Sequence, residues 1–420
     1  MNVIKILEHI YKHCNLEKVE KQLTKNNTNA QHTNNYKYPE SKKCENMAKA
    51  PSKEQKKTKQ WFIKNIILPN NEIIDKPGFI LYQFEVKGKN AFMREILFPE
   101  KMLSCIETQI KEKQGEKGVS ALYRAGKRWG NRFAKGALFP QKSKNDEKTI
   151  RDFLNGFAKF CESVYSTKFE IVEANLKKEQ LKLKGKDVIV CSVGGVGEVF
   201  LGAWVGVWAH INEDKNIEGK QITCQGNKEK ECVFYCAKKE AVLREEKIEE
   251  GKECKIEQEF YKLNTSHNPK SEFSLARFLE LGNIKYEGGF FKIKEDRLVL
   301  HEASSIYFIE DELRKIKCDK IVFECAYKYF EEFAKGKTKE FLIGFLMSTG
   351  WGEVNIFKNK GKYTAQIVNF PWVSLAQKIE FQMVCGAISG FLSAVEKRKI
   401  VLKKEQISTM HDYLEITLKE

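Results

Sequence analysis

Several signatures that would settle a function quickly are missing from these 420 residues. No apolar run approaches the roughly 18 residues that a membrane-spanning helix needs, so no membrane span is expected. The 12 cysteines are scattered, without a dense even framework. A disulfide scaffold is therefore a poor reading, and reduced thiols in a cytoplasmic protein a better one, the more so as no secretory leader is read at the start. There is no Cys-x2-Cys knuckle, which argues against a zinc ribbon contacting nucleic acid. Gly195 and Gly197 begin a Gly-x-Gly-x-x-Gly fingerprint, but Phe200 stands where its third glycine belongs, so dinucleotide binding is not expected. Neither a Ser/His/Asp grouping nor a paired-carboxylate motif stands out, and His210, alone on its helix, reads more simply as a hydrogen-bonded structural residue.

Charge is present in excess but unfocused. The net charge is +16, and residues 1–60 contribute 13 Lys against 6 Glu with no Arg. A nucleic-acid surface usually shows a focused Lys/Arg patch interleaved with aromatics. Here the surplus is mostly lysine in a polar tail, and no nucleic-acid partner is expected.

Taken in order, residues 1–23 carry Val3, Ile4, Leu7, Ile10, Tyr11 and Cys14 on one helical stripe, predicting an amphipathic helix. Residues 24–60 have little to bury and read as a disordered Lys/Asn-rich linker. Globular pattern begins at Trp61, giving a first domain over 61–243, a charged linker over 244–265 and a second domain over 266–420. Hairpin strands are expected at 78–87 and 90–98, then helices over 100–112, 119–134 and 150–162. Beyond the charged linker the same order of elements returns.

The most structured stretch is Asp187–Cys236. Its β-branched start, Asp187–Val193, predicts a buried strand. A helix follows with Gly202 and Gly206 on one face, then a strand leading to Cys224, Cys232 and Cys236. Gly386 and Gly390 repeat the glycine pair 184 residues later with the same helix-to-strand spacing. Only five identities fall within residues 201–224, so the argument for duplication rests on element order and spacing. Phe200, Trp204 and Trp208, with Tyr123 on an earlier helix, are the candidate walls of an apolar ligand pocket, against the plainer reading that they are core.

Gly202-x3-Gly206, then Gln221-x2-Cys224-x7-Cys232, resembles the 4-vinyl reductase domain family, whose small-molecule-binding domain also occurs in aromatic-sensing transcription activators and predicted hydrocarbon-binding proteins. ALYRAGKRWG (121–130) and GWGEVNIF (350–357) resemble two further stretches of that family. The resemblance implies an α/β (α+β) fold of two tandem domains, the second degenerate, each with helices packed on an antiparallel sheet, akin to a subunit of the TRAPP vesicle-tethering complex. It implies a small apolar or aromatic ligand and a homodimer, or an internal pseudo-dimer of the two copies. It also implies a structural zinc in the first domain, at Glu198, Gln221, Cys224 and Cys232, with Cys236 or Cys254 completing the set. Gln382, Glu405, Ser408 and Ile416 hold the matching places in the second copy, which is expected to be metal-free. The family name suggests a reductase or tetrapyrrole-handling enzyme as an alternative, and a ligand-free scaffold is a third reading. The histidine and tryptophan that hold phenol in the aromatic sensors have no counterpart here, so phenol specificity does not carry over.

Overall fold

The computed structural model describes residues 73–86, 89–246, 273–287, 289–373, 379–408 and 412–418. The amphipathic helix over 1–23, the linker over 24–60 and most of the charged linker, with Cys254, lie outside them.

The first half runs β1 (Ile73–Lys76), β2 (Phe79–Val86), β3 (Lys89–Pro99), α1 (Glu100–Gly136), α2 (Glu147–Tyr165), β4 (Lys168–Asn175), β5 (Gln180–Lys186), α3 (Glu198–Asn212), β6 (Ile217–Thr223), β7 (Cys232–Lys238) and a single turn, α4 (Lys239–Val242). The second runs α5 (Leu275–Glu280), β8 (Lys285–Glu287), β9 (Phe290–Ile293), β10 (Asp296–Glu302), α6 (Ser304–Lys315), α7 (Lys320–Phe333), α8 (Lys339–Ser348), β11 (Glu353–Asn359), β12 (Lys362–Val368), α9 (Gln382–Glu396), β13 (Leu402–Ser408) and β14 (Tyr413–Leu418). Helices pack on antiparallel sheets in both halves, the expected α/β architecture. The two helices anticipated over 100–112 and 119–134 form one run broken at Gly115 (φ 54°, ψ −139°), the counterpart of the gap between α6 and α7. β14 was not anticipated; from the sequence the closing strand is expected over 399–408.

Each half has its own four-stranded sheet, ordered β4-β5-β7-β6 and β11-β12-β14-β13, the same order twice. A third sheet is shared. In it β3 pairs antiparallel with β10, so that β1-β2-β3 continue into β10-β9-β8. The middle of this seam is apolar, Leu97 opposite Leu300 and Phe98 opposite Val299, and it continues into Glu95 opposite Glu302, all buried.

Two arginines exchange across the seam, Arg94 buried and Arg297 partly buried. Arg94 of β3 donates to the carbonyls of Gly350 (2.8 Å) and Asn369 (3.1 Å) in the second half. Arg297 of β10 donates to the carbonyls of Ser166 (3.1 Å) and Asp187 (3.0 Å) in the first. Ser166 precedes β4 as Gly350 precedes β11, so the two grips are equivalent. Each one satisfies a carbonyl where a helix hands over to a strand (Ser166, Gly350) and another just past the end of a strand (Asp187, Asn369), groups that would be costly to leave unpaired.

Within each half the glycine-bearing helix crosses a partner at backbone contact. A methyl group added at Gly126 or Gly130 of α1 would lie 1.9 or 2.0 Å from the carbonyl oxygens of Val199 and Ala203 on α3. One added at Gly202 or Gly206 would lie 2.2 Å from those of Tyr123 and Lys127. Only hydrogen fits at these four positions, which is the physical content of the repeated four-residue spacing.

Candidate functional site

The segment between β5 and α3 decides the site. Its β-branched run predicts a strand, but it forms a turn and a 3-10 segment, Cys191–Val193. Asp187 (φ 55°) and Val190 (φ 66°) take left-handed backbone, which breaks a ladder. The backbone groups a strand would have paired are taken by side chains instead. Glu100 accepts from the amide of Val190 and the hydroxyl of Ser192, both at 2.9 Å, while Thr167 and Arg297 donate to the carbonyl of Asp187. Long-range hydrogen bonds outweighed local propensity here.

That turn brings Cys191 to Cys224, at the end of β6, and Cys232, at the start of β7. The three sulfurs lie within 4.8 Å of one another and all three residues are buried. Among the described residues this is the one group of three potential metal ligands of this kind. The amide of Gln225 points at the Cys232 sulfur at 3.4 Å. The thiols of Cys191 and Cys232, followed by the amides of Gly226 and Asn227, draw the Cys224 thiol down to about 3. Contact with Cys191 lowers the Cys232 thiol, but Cys224 and burial lift it to about 11. Cys191 is pushed upward by its contacts with Cys224 and Cys232 and then by burial. Three clustered thiols, one of them drawn well down by the other two, form a donor set that a soft divalent cation would complete. A zinc ion with Zn–S bonds of about 2.3 Å holds sulfurs roughly 3.8 Å apart in a tetrahedron, a separation this trio accommodates.

The other expected ligands divide. Gln221 stands beside the cluster: a Cβ on Gly197 would meet the Cys191 sulfur at 2.4 Å and the Gln221 amide oxygen at 3.4 Å. The Gln221 Nε2 is buried without a protein partner. Glu198 instead pairs with Arg244 at 3.2 Å, and burial raises its carboxyl despite that partner. Cys236 is not in the cluster. Although buried, it lies four residue pairs further along the β5–β7 ladder than Cys232, opposite Leu181, where burial lifts its thiol upward. Cys191 was missed because its run was read as a strand and it lies outside the Cys-x7-Cys pattern.

Glu107 was also missed. From α1 its carboxylate accepts the amides of Val196 (2.9 Å) and Gly197 (2.8 Å), at the start of α3. The N-cap residue Gly197 has no side chain to do this, and a carboxylate suits a helix N-terminus. Burial nevertheless lifts the Glu107 carboxyl to about 8, over the lowering effect of those two amides.

Beside this loop lies an apolar cavity of about 50 Å³, where a single water needs roughly 10–15 Å³. Its walls include Trp129, Phe133, Phe157, Phe169, Phe200, Trp204, Tyr165 and Ile189. Several polar atoms of its lining are engaged elsewhere: Trp129 Nε1 donates to Glu302 at 2.8 Å, and Thr167 donates to the carbonyl of Asp187 at 3.2 Å. Such a cavity favours an apolar occupant. Of the four expected pocket residues, Phe200 and Trp204 line it. Trp208 is buried with its Nε1 donating to the carbonyl of Glu179 at 2.8 Å. Tyr123 donates to Glu218 at 2.5 Å and accepts from the amide of Gly219 at 2.9 Å, within a buried polar group that includes the Lys127–Glu218 pair at 2.8 Å. Phe157, which stands at helical spacing with Phe153 and Phe160 on α2, lines the cavity and was the available signal for the missed wall. His210 lies with Nε2 3.3 Å from the carbonyl oxygen of Phe139.

No family model matches the chain, and no curated protein does. Among solved structures the chain is similar to the crystal structure of the phenol-responsive sensory domain of the transcription activator PoxR with phenol, at 14% identity and a TM-score of 0.30, over 45% of this chain and 92% of that one. No described helix is long and apolar enough to cross a membrane.

Proposed function

We propose that the chain is a small-molecule-binding protein made of two fused 4-vinyl-reductase-type units, taken as residues 61–243 and 266–420. In this reading the first unit holds an apolar ligand in the aromatic cavity and a structural zinc on Cys191, Cys224 and Cys232. The second unit serves as the partner of an internal pseudo-dimer. One observation carries the reading: the short segment 189–200 supplies both Ile189 and Phe200 to the cavity wall and Cys191 to the thiol cluster. A metal there would pin the loop that shapes the pocket. The role is read as structural because the neighbouring acid, Glu107, is held by two backbone amides at the start of α3. The nine described cysteines are all free, which suits a reducing, cytoplasmic setting.

Zinc per chain, measured on protein purified without chelator, is expected near one and near zero in Cys224→Ser and Cys191→Ser. Glu198→Gln and Cys236→Ser should keep their metal. Zinc retained in Cys191→Ser, or lost in Cys236→Ser, would discard this ligand set. Native mass spectrometry should show a copurified apolar molecule; a ligand-free protein that also fails to take up benzene would leave only a scaffold.

A further inference from the structure

We propose that Cys105 and Cys325 are a modification site, a dithiol that closes reversibly into a disulfide joining the two halves of the molecule. Cys105 lies on α1 and Cys325 on α7, 220 residues apart in the chain, and their sulfurs are 2.7 Å apart. Little movement separates this contact from a bonded sulfur pair. The contact sits in the α1–α7 interface, where Lys113 and Glu324 also pair across the halves at 3.1 Å. It is independent of the cavity and the thiol cluster, and so of the function proposed above.

Access sets Cys105 apart from the other described cysteines, including Cys224, whose lowered thiol is buried. Cys105 is half-buried, while the other eight described cysteines are buried. Its thiol is drawn to about 7 by the Cys325 sulfur, against burial, with Lys328 and Lys113 helping and Glu112 opposing. Cys161, Cys236 and Cys385, by contrast, are enclosed and pushed upward by burial. A reachable thiolate with a second thiol already touching it is the arrangement of an attacking and a resolving cysteine.

The oxidant class is a peroxide. The Cys105 thiolate attacks a peroxide oxygen, the O–O bond breaks, and the departing hydroxide takes a proton to leave as water. The Cys325 sulfur then attacks the sulfenic sulfur, the S–O bond breaks, and the second water leaves with the Cys325 proton. Two thiols are oxidised and one hydrogen peroxide is reduced to two waters. A small dithiol reverses the product by thiol–disulfide exchange.

The test treats the full chain with hydrogen peroxide, then maps peptides without reduction. The expected result is a Cys105–Cys325 cross-linked peptide that forms before other cysteines react, disappears with dithiothreitol, and is absent from Cys105→Ser. The cross-link closes a very long loop, so oxidation should raise the thermal midpoint by about 5 °C in the wild type and not in Cys105→Ser. Should that variant fold poorly, Cys325→Ser and the reduced wild type serve as controls. Cys105 left unreacted, carried on to the sulfinic acid, or joined to a different cysteine overturns the proposal. A cross-link that leaves the midpoint unmoved overturns the locking of the two halves.

Discussion

The two halves use one topology and differ in what fills it. Gly386 and Gly390 on α9 meet the carbonyls of Phe323 and Tyr327 on α7, as Gly202 and Gly206 on α3 meet those of Tyr123 and Lys127 on α1. By that correspondence Gly126 matches Ala326, Gly130 matches Phe330 and Val207 matches Phe391. Gly130 and Val207 line the cavity of the first half. Phe330 and Phe391 are fully buried, with ring centroids 5.5 and 6.3 Å from Phe333. Bulk therefore stands in the second half where the first has space. The thiols diverge in the same direction, Cys224 and Cys232 matching Ser408 and a buried Ile416. What both halves keep is the helix-start carboxylate: Glu310 accepts the amides of Gln382 (3.1 Å) and Met383 (2.9 Å) as Glu107 serves α3. Scaffold features are duplicated, and the space and thiols of the first half are not.

The sharpest way to break this comparison is to press on the shared helix crossing. Gly130→Ala puts a methyl 2.0 Å from a backbone carbonyl, and Gly390→Ala does the same at 2.1 Å. Each should cost about 3 kcal/mol in urea unfolding, the upper range for overpacking, because backbone cannot move aside as a side chain can. Losses under about 1 kcal/mol would mean the crossing is looser than described.

A smaller effect separates the halves. Val207→Phe copies Phe391 into the first half, and benzene binding followed by NMR titration should weaken at least tenfold, with stability changed by less than about 1.5 kcal/mol because an existing space is being filled. Binding that survives this substitution would place the ligand elsewhere.

The two carboxylates should leave distinct marks on pH dependence. Burial raises Glu107 to about 8 and Glu310 to about 7 from an ordinary 4.5. An acid that holds its proton more tightly when folded contributes stability below its unfolded pKa and loses that contribution as pH rises through the folded value. Glu107→Gln should therefore flatten the fall in unfolding free energy between about pH 4.5 and 8, and Glu310→Gln only up to about pH 7. Unaltered slopes in both variants would mean that neither carboxyl titrates in this window. Smallest of all, Lys113→Ala removes an exposed pair between halves and should cost no more than about 1 kcal/mol, falling further in high salt.

Much of this was legible beforehand because it is local. The hairpin over 79–99, the amphipathic helices and the four-residue glycine spacing follow from side-chain periodicity, and the repeat at 184 residues follows from counting. Phe200, Trp204, Cys224 and Cys232 could be singled out for the same reason. The failures share another cause. Asp187–Val193 has strand propensity, yet Glu100, Thr167 and Arg297 bind its backbone from 20 to 110 residues away. Tyr123 and Trp208 look like pocket walls until Glu218 and the carbonyl of Glu179 claim their polar atoms.

By itself, then, the sequence determined the elements, their repetition and the presence of thiols near a glycine-packed helix, since each depends on neighbours a few positions apart. Tertiary structure alone decided that Cys191 joins Cys224 and Cys232 while Glu198 turns to Arg244, that Arg94 and Arg297 trade places across a shared sheet, and that Phe330 stands where Gly130 leaves room. Those outcomes depend on which buried donor, acceptor or volume is left to be satisfied after distant segments meet, and that remainder has no signature in any short window of residues.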